Sequence, residues 1–306
     1  MRIIDAETAR LRMSLETGDT ASAVGAMRNL RRITEVHLRT TGAVGFASNL
    51  RAWRQLREAV HEYARRGDPS PNILESALPL LIDMHASLDG LMRRSTRIER
   101  VLAQADVAIV YAGVERGSAP NMPRIFWLSH AELARSVDRV FDEWDAYVEA
   151  GPVTDKKPGA EQASWSESGR EELYKPAIWA TEGVRSIPWF GVPEECASGG
   201  VALMLAIESH RARFGSLPDT LEDLVERGVL DTLPADPYAP DGRYLYEPDD
   251  AQPLGYTLRS VLPDGAPSPR VQWIDTHDTG ALRGELPFEG PGDWSLTPLT
   301  KESTSR

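Results

Sequence analysis

Apolar residues recur every three or four positions through most of the first 150 residues, the spacing that places them on one face of an α-helix. In the segment 45–66 the apolar side chains follow one another at spacings of 4, 3, 3, 4 and 3 residues. The same pattern predicts further helices over residues 6–17, 20–39, 72–91, 95–114 and 130–149. Because short turns such as Gly18–Asp19 join several of them, we expect residues 1–150 to form an antiparallel helical bundle or a short superhelix.

The helical pattern stops between residues 151 and 194. Residues 151–169 are polar and rich in Lys, Glu, Ser and Gly, which predicts a linker. Residues 170–194 contain three prolines and several aromatic residues, so we expect irregular structure packed across a domain surface. An alternative, which we rank below packing, is that aromatic side chains between residues 151 and 194 line a ligand groove. These side chains are Trp165, Trp179, Trp189 and Phe190.

A different pattern begins at Cys196. A helix is predicted over 200–214, and a second, short helix starts with Asp219 as N-cap and Glu222 as its capping-box partner. Short β-strands are predicted over residues 243–247, 256–261, 270–274 and 294–297. The sequence therefore predicts a mainly α N-terminal domain over 1–150, a linker and packing segment over 151–194, and a small α+β module over 195–306.

Four motifs within this module follow one another in a distinctive order. They are Phe214-Gly215-Ser216-Leu217-Pro218, Leu233-Pro234-Ala235-Asp236-Pro237, Gly242-Arg243-Tyr244 and Ser260-Val261-Leu262-Pro263-Asp264-Gly265. Over about a quarter of the chain this order resembles the globular part of the major pseudopilin of type II secretion. The whole chain is similar to uncharacterised planctomycete-type envelope proteins, which place an Arg-rich helical region before such a module and end in a Gly-Asp-Trp-like strand, here Gly292-Asp293-Trp294.

The resemblance implies an α+β fold and an extracytoplasmic setting in the envelope, and it implies no known activity. The sequence departs from the pseudopilin pattern because no apolar extension precedes the helix at Gly200, so we do not expect filament assembly by the pilin route. Leu262 stands where the family has glycine, and His210 stands where a tyrosine is usual.

Charge is unevenly distributed along the 306 residues. Residues 1–100 carry 16 Arg, no Lys and 12 acidic residues, a net charge of +4, whereas residues 101–306 carry a net charge of −16. An acidic surface repels phosphate backbones, which argues against a nucleic-acid partner. The N-terminal arginines stand at helical spacing from acidic residues, so we interpret them as solvated helix faces with local ion pairs.

Membrane and redox signals are weak in this sequence. No stretch approaches the roughly 20 apolar residues that a membrane-spanning helix needs, and the N-terminus has no apolar region of a secretory signal. We therefore expect a soluble chain, or the soluble ectodomain of a longer protein. The single cysteine, Cys196, excludes an internal disulfide framework.

Calcium is the one cofactor that the pseudopilin resemblance raises, since that module often holds the ion in the loop after the Asp-Gly turn. The carboxylates near that loop belong to Asp264, Asp275, Asp278 and Asp293. Ca²⁺ needs six to eight oxygen ligands, and this spacing matches no arrangement that supplies them. We favour solvated acidic turns and assign no metal or cofactor.

Histidine and cysteine candidates for chemistry are few. Glu58 and His61 form one Glu-x-x-His pair, whereas a di-iron bundle needs two such pairs and two further glutamates. The equal spacing of His37, His61 and His85 is interpreted as coincidence. Cys196 at a predicted helix N-terminus is expected to have a lowered pKa, although we interpret it as a small apolar filler.

No phosphate-binding loop or nucleophile elbow occurs, so the sequence assigns no catalytic residue. The expected function is a non-catalytic structural or protein-interaction subunit of the envelope, with a protein partner and no indicated oligomeric state. One alternative is a small-ligand binder or enzyme with a pocket between the helical and α+β parts, with His210, Glu194 and Glu195 as candidates. A second is a divergent component of a secretion apparatus. His210 itself lies on an apolar stripe, which predicts a core histidine with one hydrogen-bonded nitrogen.

Overall fold

The computed structural model confirms a mainly helical chain with a small β-sheet near its C-terminus. It describes residues 2–38, 42–65, 69–115, 128–150, 159–167, 171–181, 183–184, 186–261, 271–273 and 293–295. None of the helices in these ranges combines the length and the apolarity that crossing a membrane requires.

The chain divides into two compact units, each built from separate stretches of sequence. Unit 1 comprises Met1–Glu35, Leu50–Leu88 and Val192–Arg306, and unit 2 comprises Val36–Asn49 and Asp89–Gly191. Compactness does not show which parts fold on their own, so the predicted domain boundaries at residues 150 and 194 stay a prediction.

Among the described residues up to Ala150, five helices occur where six were predicted. They are α1 (Arg2–Thr17), α2 (Thr20–Leu38), α3 (Ala43–Ala64), α4 (Pro71–Glu115) and α5 (His130–Ala150). The predicted break between residues 91 and 95 is wrong, because α4 continues through it for 45 residues. Met92 and Thr96 are buried there, and the Thr96 hydroxyl donates to the Met92 carbonyl at 3.0 Å, so the buried face continues without a turn.

The predicted turn between the first two helices is confirmed. Gly18 adopts a φ of 73°, which suits glycine at the end of a helix. Asp19 then caps α2, since its carboxylate accepts a hydrogen bond from the backbone N–H of Ser22 at 3.1 Å.

The expectation of irregular structure over residues 170–194 is wrong. The chain forms α6 (Ala160–Glu167) and α7 (Glu171–Thr181), and a further helix, α8, runs over Ser186–Phe214. Apolar contacts explain why this stretch is helical, because several of its residues belong to the core of unit 2. The core consists of Ala103, Val107, Leu133, Val137, Val140, Phe141, Trp165, Ala177, Ala180 and Val184.

The part of α8 that belongs to unit 1 is buried on every side over Cys196–His210 rather than on one face. All fifteen of these residues are buried, including four polar ones, Ser198, Glu208, Ser209 and His210. A helix that is apolar all round is covered on all sides by its own protein. Other large buried side chains of unit 1 are Leu11, Met27, Leu30, Leu50, Trp53, Leu56, Ile73 and Tyr256.

The sheet of unit 1 has the strand order β1-β2-β4-β3. Its strands are β1 (Leu245–Pro248), β2 (Tyr256–Ser260), β3 (Val271–Trp273) and β4 (Asp293–Ser295). β1 and β2 form an antiparallel pair with Leu245 opposite Arg259, and β4 is antiparallel to β2 but parallel to β3. All four lie where strands were predicted, although the parallel pair was not.

The predicted capping box of Asp219 and Glu222 is wrong. The short helix α9 spans Glu222–Glu226, and its N-terminus has no side-chain cap. Instead, Oδ2 of Asp223 accepts hydrogen bonds from the backbone N–H groups of Asp219, at 2.8 Å, and Thr220, at 3.0 Å. A carboxylate one residue further along therefore closes this turn.

Replacing Gly199 of α8 with alanine is expected to destabilise the protein by about 1–3 kcal/mol. A Cβ at this position would lie 2.5 Å from the Tyr244 hydroxyl oxygen and 3.0 Å from two ring atoms of His85. Gly90→Ala is the matched control, because its Cβ would meet open space and alanine favours the helix by up to about 1 kcal/mol. Urea unfolding followed by circular dichroism measures both; equal midpoints for the two variants would contradict the expectation.

Candidate functional site

A buried ion pair joins α3 to α8 within unit 1. Arg57 donates from Nε to Oε1 of Glu194 at 2.7 Å and from Nη2 to Oε2 at 3.2 Å, and the two side chains are 4% and 2% exposed. Arg54 adds a longer contact to the same carboxylate, at 3.5 Å. Burial alone would lower the pKa of Arg57, but the Glu194 carboxylate outweighs it and the pKa rises. Both side chains are engaged in this pair, and neither is left for chemistry.

Two side chains donate to backbone carbonyls of α8 near this pair. His85 Nδ1 lies 3.0 Å from the carbonyl oxygen of Glu195, and the Tyr244 hydroxyl donates to the carbonyl of Cys196 at 2.7 Å. Since a carbonyl can only accept, Nδ1 of His85 carries the proton. Burial lowers the pKa of His85, with the hydrogen bond opposing that effect, so its ring is neutral near pH 7.

Cys196 is fully buried at the interior of α8 instead of at its N-terminus. The predicted lowering of its pKa is wrong, because burial raises the pKa of the thiol well above its usual value. A thiol held in this state is a poor nucleophile. The interpretation of Cys196 as a small apolar filler stays a prediction, because the groups acting on its thiol include the polar Asp236 and Ser260.

Asp236 is a buried carboxyl group, 1% exposed, in the loop before β1. Its Oδ1 accepts a hydrogen bond from the backbone N–H of Tyr238 at 3.0 Å, while Oδ2 has no hydrogen-bond partner among the described residues. Burial raises its pKa to about 6, and the Tyr238 N–H opposes the rise. Asp236 organises this loop, because its backbone N–H also donates to the carbonyl of Gly242 at 2.9 Å.

The C-terminal end of α8 carries a second buried polar cluster. Burial raises the pKa of Glu208, although Arg211 lies 3.6 Å away and opposes the shift. Arg211 also donates to the Leu254 carbonyl and lies over the ring of Tyr256 at 5.9 Å. These contacts fix β2 and its preceding turn against α8.

The prediction for His210 is confirmed. Its ring is 2% exposed, and Nδ1 lies 3.0 Å from the carbonyl oxygen of Ser216, while Nε2 has no hydrogen-bond partner among the described residues. His210, like Glu194, is thus committed to an internal contact.

An open cleft of about 490 Å³ lies on the surface of unit 1. It is lined by Asp219, Thr220, Leu221, Glu222, Leu233, Pro234, Ala235, Asp241, Gly242, Arg243, Tyr244 and Tyr246. Its volume falls within the roughly 300–1,000 Å³ typical of binding clefts. Three carboxylates and one guanidinium lie around its rim, so its polar groups are mainly acidic.

The walls of this cleft are held by internal hydrogen bonds. The Tyr246 hydroxyl donates to the Pro218 carbonyl at 2.8 Å, which ties β1 to the turn before α9. Gly242 donates to the Ala239 carbonyl at 2.9 Å and adopts a φ of 71°, closing the loop on the other side. A cleft with walls fixed in this way is formed before any ligand arrives.

An exposed ion pair connects the two walls. Arg243 Nη1 lies 3.6 Å from Oε1 of Glu222, with side chains 70% and 52% exposed. The Asp241 carboxylate accepts from the backbone N–H of Arg243 at 3.1 Å. Asp219 and Asp241 are exposed, and neither forms an ion pair within the part of the chain that the structure describes.

The remaining sequence candidates are scattered or lie outside the described residues. His61 and His85 are both buried in unit 1, and Glu58 is partly exposed. Among the described side chains no three histidine, cysteine or acidic residues are grouped to hold a metal ion. The sequence candidates whose side chains lie outside the described residues are His37, Trp179, Trp189, Phe190, Asp264, Asp275, Asp278 and Asp293.

Trp165, a candidate for a ligand groove, is instead part of the unit 2 core. Its ring stacks on Tyr174 with centroids 4.9 Å apart, and its Nε1 donates to Glu161 Oε1 at 3.1 Å. It is 2% exposed, so it lines no groove.

Sequence reasoning missed the residues that shape the cleft and its support. Asp236 and Tyr244 were interpreted only as members of two motifs of the pseudopilin resemblance. Arg57 was interpreted as a solvated charge. Since its partner lies 137 residues away, no local spacing could have indicated the pair.

Comparisons with protein-family models, with curated proteins and with solved structures give no significant match to this chain.

Proposed function

We propose that this chain is a non-catalytic protein-interaction subunit that binds its partner at the acidic cleft of unit 1. The observation that carries the proposal is the preformed, open cleft, whose lining combines charged side chains with apolar ones such as Leu221 and Leu233. Interfaces between proteins combine these two kinds of surface. In this proposal, the structural role of the chain is to hold this cleft in a form that the partner can bind.

The composition of the cleft lining suits binding. Its polar side chains are three carboxylates, one guanidinium, one threonine and two tyrosines, and both tyrosine hydroxyls are engaged in internal hydrogen bonds. Its openness and acidic rim suit a segment of another protein better than an enclosed small molecule.

The setting that we propose is the cell envelope. Its support is the resemblance of the C-terminal α+β module, over about a quarter of the chain, to the globular part of the major pseudopilin. A role as a divergent component of a secretion apparatus is a narrower form of the same proposal, in which the partner belongs to that apparatus.

Site-specific photo-crosslinking tests the proposal. A benzophenone amino acid replaces Thr220 at the cleft, and a control replaces the exposed Glu62 on α3. We expect one protein adduct from the Thr220 position and none from the Glu62 position, when the chain is produced in its native envelope. The adduct partner, once identified and purified, should form a 1:1 complex with the unmodified chain in analytical ultracentrifugation.

Two results would overturn the proposal: no protein adduct at Thr220, or a purified partner that fails to form the complex. Parallel samples with calcium and with EDTA test the calcium alternative. Loss of the adduct in EDTA alone would assign the ion a role in partner binding.

A further inference from the structure

The cleft borders an edge of the sheet that is unpaired within the described residues. In the strand order β1-β2-β4-β3, β1 lies at one end and pairs with β2 along one side only. An edge strand directs the N–H and C=O groups of alternate residues outward, where another extended chain can pair with them. Three residues that precede or belong to β1 also line the cleft: Arg243, Tyr244 and Tyr246.

Two tyrosines keep this edge in place, one just before β1 and one within it. Tyr244 and Tyr246 direct their hydroxyl groups inward, to the carbonyls of Cys196 and Pro218 respectively. Because these rings are anchored, the backbone of β1 is held without a ligand. An added strand would therefore pair with an edge that needs no rearrangement, which lowers the entropic cost of binding.

The charges around the cleft define what such a strand would carry. Glu222 is neutralised by Arg243, whereas Asp219 and Asp241 have no ion-pair partner among the described residues. Residues 101–306 as a whole carry a net charge of −16. A ligand with lysine or arginine side chains complements this field, and an acidic peptide or a nucleic acid is repelled by it.

We propose that the cleft of unit 1 binds an extended, basic peptide segment of the partner protein as an additional β-strand on β1. Backbone hydrogen bonds to β1 supply affinity, and lysine or arginine side chains at alternate positions meet Asp219 and Asp241. This inference rests on the proposed function and names the chemistry of the partner segment.

Selection from a random decapeptide library displayed on phage, with the full chain as bait, tests the inference. We expect selected peptides with Lys or Arg at alternate positions and without proline in the central residues. The double variant Asp219→Asn/Asp241→Asn should bind them about tenfold more weakly. Asn at 241 retains the acceptor for the Arg243 N–H, so the turn is preserved. The control double variant is Asp231→Asn/Asp250→Asn, at two exposed positions outside the cleft, and should bind like the parent chain.

Backbone N-methylation separates strand addition from binding by side chains alone. In an added strand, every second amide of the peptide faces β1. Methylation of these amides should abolish binding, and methylation of the other set should leave it intact. The inference is overturned by selected peptides that lack basic residues, by equal affinity of the cleft variant and the parent, or by tolerance of N-methylation at every position. It is also overturned if the cleft variant converts a dimer of this chain to a monomer, because the occupant would then be a second copy.

The two proposals can fail separately. A crosslinked partner at Thr220 without selection of basic peptides would leave the protein-interaction function in place and refute the strand-addition mode.

Discussion

Replacing Arg57 with methionine is expected to lower the free energy of unfolding by about 3–5 kcal/mol. The substitution leaves the Glu194 carboxylate buried, 2% exposed, without its bidentate partner. Arg54 remains 3.5 Å from that carboxylate but is more exposed, so it compensates only in part. Urea unfolding followed by circular dichroism, with hydrogen exchange of the α8 amides, measures the loss.

A double-mutant cycle distinguishes a lost pair from a lost side chain. Arg57→Met combined with Glu194→Leu should recover most of the stability, since no charge remains buried. Arg213→Met is the matched control, because its ion pair with Glu75 lies at the surface, with side chains 41% and 46% exposed. That change should cost less than about 1 kcal/mol. A double variant as unstable as Arg57→Met alone would contradict the electrostatic explanation.

Replacing Asp236 with asparagine is expected to stabilise the protein increasingly as the pH rises from 4 to 7. The pKa of Asp236 is about 6 in the folded chain and 3.8 is its ordinary value. Between these values the folded chain holds a proton that the unfolded chain has lost, so the stability of the parent falls with rising pH. The fall amounts to about 3 kcal/mol, and it is complete once the pH passes the folded pKa.

Asparagine cannot ionise, so Asp236→Asn should not share this fall. It keeps an oxygen acceptor for the Tyr238 N–H, which preserves the loop. The measurement is the difference in unfolding free energy between variant and parent at pH 4, 5, 6 and 7. Asp231→Asn, at an exposed position, provides the control and should give a difference that does not change with pH. A constant difference for Asp236→Asn would show that the pKa of Asp236 is the same in the folded and the unfolded chain.

Local patterns predicted most helices, the strands and one buried side chain correctly. His210 was identified as a core histidine from its place on an apolar stripe, and the first turn followed from Gly18 and Asp19. Periodicity failed at residues 91–95, since the polar Arg93 and Arg94 interrupt the apolar pattern while the helix continues on buried Met92 and Thr96.

The sequence also held a signal for α8 that the interpretation did not use. Residues 201–207 are apolar without exception, which is typical of a helix buried on all sides rather than on one face. The cleft could not be predicted, because it arises where the turn at Asp219, the loop at Asp241 and β1 meet in space. These segments are separate in the sequence, so no residue spacing within one of them indicates that they lie close together.

Unit 1 is built from three separate stretches of sequence, so it can be completed only after its last stretch, Val192–Arg306, has been synthesised. Arg57 leaves the ribosome 137 residues before Glu194. At a synthesis rate of about 5–20 residues per second, Glu194 follows Arg57 after roughly 7 to 27 seconds. Until then the earlier helices of unit 1 lack the helix that they cover in the folded chain. During that interval their apolar faces lack the surface against which they finally pack, so this protein is most exposed to aggregation and to chaperone binding before its last third has been made.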